Sequence, residues 1–156
     1  MKEVEIKERK PTKIAYIKHV GSYDSIPFDK YFAQLYAWAK EKKVMPGFMP
    51  MGIFYDDPNK TPPEKCRSEI GIPIYGDVKP KGNIGIKNLP GLKVAVIRHK
   101  APAKDYPESY KKLSDWIDRN GYEWVGPPIE VYTKKPKIVG GESMLYVNIQ
   151  APVRKK

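Results

Sequence analysis

The chain has a single cysteine, Cys66, and only two histidines, His19 and His99. One thiol cannot close an intrachain disulfide, and neither residue type recurs at a metal-holding spacing, so disulfide scaffolds and zinc modules are excluded. Long apolar runs are missing too: the longest span a few residues, far short of the roughly 20 that a membrane helix needs. The opening Met1-Lys2-Glu3-Val4-Glu5 alternates charge and has no apolar h-region, so it is not a secretory signal. These absences point to a reducing, cytoplasmic setting with no membrane association. No phosphate loop or dinucleotide fingerprint occurs, and nothing in the sequence calls for a cofactor.

What remains is a chain of 156 residues, 40% apolar, enough for one domain or two small half-domains sharing a core. The formal net charge is +11. It is uneven: residues 1–80 hold 14 Lys/Arg against 11 Asp/Glu, net +3, and residues 81–156 hold 15 against 7, net +8. A basic half suits nucleic acid or another anionic partner. The basic residues are scattered over strands and helices, however, and no basic helix or zinc-finger spacing appears, which favours a lysine-rich solvated surface.

The sequence repeats itself. KIAYIKH at 13–19 returns as KVAVIRH at 93–99; FAQLYAWA at 32–39 matches YKKLSDWI at 110–117, with Trp38 on Trp116. GIFY at 52–55 matches IEVY at 129–132, and EIGIPI at 69–74 matches MLYVNI at 144–149. Four matches in one order predict a tandem duplication, with pseudo-repeats at about 1–75 and 84–152 and a Gly/Pro-rich linker at 76–83. Each copy reads as strand, helix, strand, strand. The expected fold class is α+β: a duplicated β-α-β-β unit, an antiparallel sheet with helices on one face, and a ligand groove between the halves. The helices are expected to begin near Ser25 and Asp105, with Asp105 and Glu108 as a capping box, Pro27 and Pro107 in the first turns, and Asn120-Gly121 as a stop.

The last strand of each copy alternates: Ile70, Ile72 and Ile74 against Glu69 and Gly71; Leu145, Val147 and Ile149 against Met144 and Tyr146. The apolar set packs on the helices. By the same reasoning Ile129 and Val131 go to the helix side, leaving Glu130 and Tyr132 on an open face joined by Tyr16 and Tyr55. A carboxylate among tyrosine rings suits a flat cationic ligand, because ring faces add cation–π attraction. An ordinary exposed strand glutamate is the simpler alternative. Trp38 and Trp116 read as core, with groove lining as the alternative. Cys66 reads as a small buried apolar residue, His19 and His99 as structural or solvent-facing, and Asp56-Asp57-Pro58 as a turn.

YDDP at 55–58, KCRSE at 65–69 and GPPIEVY at 126–132 resemble the GyrI-like small-molecule-binding proteins, over nearly the whole chain. The resemblance implies the effector-binding fold of bacterial transcription activators, including multidrug sensors, in which the Glu of the G-P-x-x-E-x-Y segment meets cationic drugs; here that is Glu130. Lys100-Ala101-Pro102 departs from the Gly-Pro turn usual in the family. No helix-turn-helix precedes the domain, so a stand-alone form without direct DNA binding is expected. The ligand-binding set is then Glu130, Tyr132, Tyr55, Tyr16, Glu69, Tyr146, Trp116 and Trp38, with a small molecule as partner. Two further functions stay open from the resemblance. One is a hydrolase of reactive cyclopropane-bearing natural products with Glu130 or Glu69 as general base; the other is a protein partner such as gyrase.

Overall fold

Alternating apolar residues dictate most of the strands, and two amphipathic helices cover them. The computed structural model describes residues 3–156. In chain order the elements are β1 (Val4–Arg9), β2 (Thr12–Val20), α1 (Phe28–Glu41), β3 (Met45–Pro46), β4 (Met51–Phe54) and β5 (Arg67–Tyr75). There follow β6 (Ile84–Leu89), β7 (Leu92–Ala101), α2 (Tyr106–Arg119), β8 (Tyr122–Trp124), β9 (Ile129–Val139) and β10 (Glu142–Lys155). The architecture is α+β, mostly antiparallel sheet with two helices.

The chain divides into two compact units. One is Pro11–Pro90, whose antiparallel strands run in the order β4-β5-β2-β6, with β3 on β5. Leu35, Trp38 and Ala39 of α1 close over Ala15, Ile17, Ile72, Ile74 and Ile84. Phe54, Ile70 and Ile26 extend this core beneath Phe28 and Phe32. The other unit joins the stretch up to Lys10 to Gly91–Lys156, in the order β1-β7-β10-β9, with β8 on β10. Here Leu113 and Ile117 of α2 pack on Val4, Ala95, Ile97, Val147 and Ile149.

The units cut the chain differently from the repeat boundaries read in the sequence. β1 lies beside β7 in register Val4 with Ile97, and β6 lies beside β2 in register Ile84 with Ile17. Each unit therefore completes its sheet with the strand that precedes the other unit's first long strand. The segment 76–83 connects β5 to β6 within the Pro11–Pro90 unit.

The helix starts also differ. Ser25 belongs to a short 3-10 turn, and α1 begins only at Phe28 with Pro27 as its N-cap. Proline biases the residue before it away from helix, and Ile26 is extended accordingly. Asp105 does stand at the N-cap of α2, yet its side chain makes no capping bond, so the box with Glu108 does not form. A 3-10 turn over Ala103–Asp105 runs straight into the helix instead. Asn120 caps the other end, and Gly121 takes φ +76°, a left-handed conformation that glycine adopts without steric cost.

Leu113 has no exposed surface, whereas Ile138 at the β9–β10 turn is 74% exposed. Leu113→Ala is expected to lower unfolding free energy by about 2–5 kcal/mol, and Ile138→Ser to stay within about 0.5 kcal/mol, both read from urea denaturation midpoints.

Candidate functional site

The register of β9 on β10 decides where the carboxylate of Glu130 points. Glu130 lies opposite Ile149 and Tyr132 opposite Val147. Cross-strand partners share a sheet face, and Val147 and Ile149 belong to the core under α2. Glu130 and Tyr132 therefore face the helix, and Ile129 and Val131 face away from it, the reverse of the expected assignment. The expectation failed because hydrophobicity does not distinguish the two faces: Ile129, Val94 and Val96 are all buried on the side away from α2.

Two phenols reach the carboxylate. Tyr110 of α2 donates its hydroxyl to Oε2 of Glu130 at 2.5 Å, and Tyr132 donates to Oε1 at 3.1 Å. Glu130 is only 8% exposed. Burial pushes its pKa above the ordinary carboxylate value, and the two phenol hydrogen bonds oppose that rise without cancelling it. Burial, reinforced by the nearby Glu130 charge, likewise pushes the Tyr106 and Tyr132 phenols well up. Among the described residues no Lys, Arg or His forms an ion pair with Glu130.

α2 and β7 supply the rest of this centre. Tyr106 stacks on the His99 imidazole, with centroids 4.4 Å apart at 22°. His99 is buried, with Nδ1 2.8 Å from Ser109 Oγ and Nε2 3.0 and 3.2 Å from the carbonyls of Ala101 and Pro102. Carbonyls only accept, so Nε2 carries a hydrogen; Nδ1 pairs with the Ser109 hydroxyl, which can donate or accept. Tyr106, Ser109, Tyr110 and His99 were not among the expected site residues. The signal available was Tyr106 and Tyr110 at a four-residue spacing, which puts both rings on one helix face.

The other buried carboxylate, Glu69, is 6% exposed and lies, as expected, away from α1. The 4-residue strand β4 ends just before Tyr55, whose hydroxyl donates to Oε1 of Glu69 at 2.5 Å. Lys87 of β6 reaches the same oxygen at 2.5 Å and the Tyr55 oxygen at 3.2 Å. Its ammonium lies 4.6 Å from the centroid of the Tyr16 ring. Burial alone would lower the Lys87 pKa, but its bonds to Glu69 and Tyr55 outweigh that and hold it above the usual lysine value. Tyr16, Tyr55 and Glu69 are thus brought together, around a lysine that sequence reasoning missed. Lys87 shares its face of β6 with Gly85, on a strand that was not foreseen.

The remaining expected residues take other places. Tyr146 sits between Lys100 and Lys134, with ammonium-to-ring distances of 5.9 and 5.7 Å. Trp38 is buried in the α1 core. Trp116 stacks on Tyr122 at 5.9 Å and lines a surface cavity with Lys112, Asp115 and Arg119. Cys66 is buried, its thiol aimed at the carbonyls of Thr61 and Pro62, and burial pushes its pKa up, away from nucleophile behaviour. In the turn after β4, Asp56 accepts from both the backbone and the guanidinium of Arg67. Among the described residues no group of three or more His, Cys, Asp or Glu side chains is placed to hold a metal.

Known proteins share this arrangement of elements. YosT of Bacillus subtilis, a prophage SPbeta-derived protein named as a transcriptional regulator, is 28% identical over 134 residues, 85% of this chain and 90% of that one. The DNA gyrase inhibitor of Escherichia coli is 27% identical over 134 residues, 82% of this chain and 83% of that one. The C-terminal domain of EcmrR superposes with a TM-score of 0.74 at 19% identity, covering 98% of each chain. On EcmrR in its complex with DNA the TM-score is 0.81, and the chain, 98% of it matched, spans 57% of that protein. SAV2435, solved bound to tetraphenylphosphonium, gives a TM-score of 0.59 at 11% identity over 98% of this chain and 94% of that one. The family model for the GyrI-like small molecule binding domain matches residues 2–154, nearly end to end, and the chain belongs to that family.

Proposed function

We propose that the chain binds flat organic cations and that Glu130 supplies the charge they meet. One contrast carries the reading. Two carboxylates are buried; Glu69 is neutralised by Lys87, whereas Glu130 is held by the phenols of Tyr110 and Tyr132. A buried carboxylate without a cation is costly to ionise, and an incoming cation removes that cost. The aromatic rings around Glu130 add attraction for a desolvated cation, about 2 kcal/mol at best for a well-placed ring. SAV2435, of the same fold, was solved with tetraphenylphosphonium, an aromatic organic cation that is tetrahedral and not flat, so the neighbour supports the charge and the aromatic character of the ligand but not its planarity. A general-base role at Glu130, acting as a hydrolase, is less favoured. Both carboxylate oxygens already accept a phenol hydrogen bond, an arrangement that suits holding charge more than activating water.

Titration with a planar dye cation, followed by fluorescence, should show saturable binding that Glu130→Gln weakens by roughly tenfold or more, the scale of one charge-assisted hydrogen bond. An uncharged dye of the same shape should not distinguish the two proteins. Equal cation affinity in the variant rejects the reading.

A second measurement needs no ligand. The folded-state pKa of Glu130 lies above its unfolded value, so its protonated form favours folding at low pH. That contribution is lost as pH rises through the raised pKa. Glutamine does not titrate. The melting temperature of Glu130→Gln relative to the parent should therefore climb between pH 4 and pH 8, and cation affinity of the parent should climb over the same range. A gap independent of pH would show that Glu130 is not held above its ordinary value.

A further inference from the structure

Lys87 does not merely pair with Glu69; it sits in a receptor. Its ammonium has three partners: Oε1 of Glu69, the hydroxyl oxygen of Tyr55, and the face of the Tyr16 ring. An –NH3+ group has three N–H bonds to place, and these three acceptors match them. The floor is built into the strands. Tyr16 pairs with Gly71 on one side and Gly85 on the other. A Cβ at Gly85 would lie 2.7 Å from the Tyr16 ring, so the ring lies across β6 only because residue 85 has no side chain. The occupant is more exposed than the carboxylate it meets. The Glu69 side chain is 7% exposed, and that of Lys87 is 30% exposed. Lys87 also enters from β6, an edge strand of its unit.

We propose that Glu69, Tyr55 and Tyr16 form a second cation site, specific for primary ammonium groups, in which Lys87 is a tethered occupant that primary amines in solution displace. The matching ligands are primary alkylammonium ions and the ends of polyamines. A quaternary ammonium presents no N–H and satisfies only the ring face. The site lies wholly in the Pro11–Pro90 unit and is independent of the Glu130 reading. An occupant tied to the chain is present at high effective concentration, so free amines compete weakly until the tether is removed.

Lys87→Ala leaves the carboxylate without its cation and should melt below the parent. Propylammonium chloride should raise the melting temperature of Lys87→Ala in a saturable manner. Tetramethylammonium chloride at equal ionic strength should not, and the double variant Lys87→Ala/Glu69→Gln should not respond to either salt. Glu130→Gln combined with Lys87→Ala should respond like Lys87→Ala alone, which separates failure here from failure at Glu130. Should Lys87→Ala not fold, the parent itself gives the readout. Spermidine should move the Lys87 Cε resonance in a carbon NMR spectrum toward that of a free lysine, and should not do so in Glu69→Gln. Equal response to propylammonium and tetramethylammonium, or a Lys87 resonance unmoved by saturating spermidine, overturns the proposal.

Discussion

The burial of a carboxylate beneath a helix is the constraint around which the Gly91–Lys156 unit is arranged. Moving an ionised carboxylate out of water costs several kcal/mol even after relaxation, far more than one surface interaction returns. Glu130 meets only part of that cost locally, with one phenol from the strand it occupies and one from the helix above it. Neither donor is free to wander. Tyr132 is fixed by its register opposite Val147, and Tyr110 by the helix that Leu113 and Ile117 anchor to the sheet. Core packing and site geometry are thus one set of interactions: the residues that seat α2 also aim Tyr110.

The same logic extends one layer outward. Tyr106 stands one helical turn before Tyr110 and stacks on His99. His99 is held in one orientation by Ser109 and two backbone carbonyls. A ring locked on both nitrogens makes a stiff backing for Tyr106, and stiff aromatic surfaces lose little conformational freedom when a ligand stacks on them. The Pro11–Pro90 unit solves the problem of a buried acid differently. Glu69 faces away from α1 and takes a lysine from β6, so its charge is balanced within the chain. Two units with the same strand order carry two buried glutamates with opposite needs.

Much of this was legible in the sequence, and the failures have definite physical origins. The strands at 13–19, 69–74, 93–99 and 144–149 and both helices followed from periodicity, because each presents one apolar face to one core. β1 and β6 were missed although Val4 and Ile6 alternate with Glu5 and Lys7, a pattern of period two. Their charge obscured it, and their pairing with distant strands cannot be read from local sequence. The face of Glu130 was misassigned because β9 carries apolar residues on one face and its polar site on the core side, the inverse of ordinary alternation. Glu130 was singled out by strand parity and given its ligand role by the GPPIEVY resemblance, and its partner on α2 was missed because Tyr110 also fits a helix core pattern.

The net charge of +11 sets a condition on the cation binding proposed for this protein. At long range the molecule repels cations. Salt at physiological strength confines that repulsion to about 8 Å, while a charge pair inside the protein is screened far less. Affinity must therefore arise at contact distance, from desolvated carboxylate and ring faces, and not from steering. A flat aromatic cation suits this condition better than a small hydrated ion. Its charge is spread and weakly hydrated, and its apolar area contributes about 25 cal/mol per Å² wherever it leaves water. On the proposed reading, a ligand at Glu130 gains most of its affinity from apolar burial and contact-range charge pairing, terms that the basic surface weakens little.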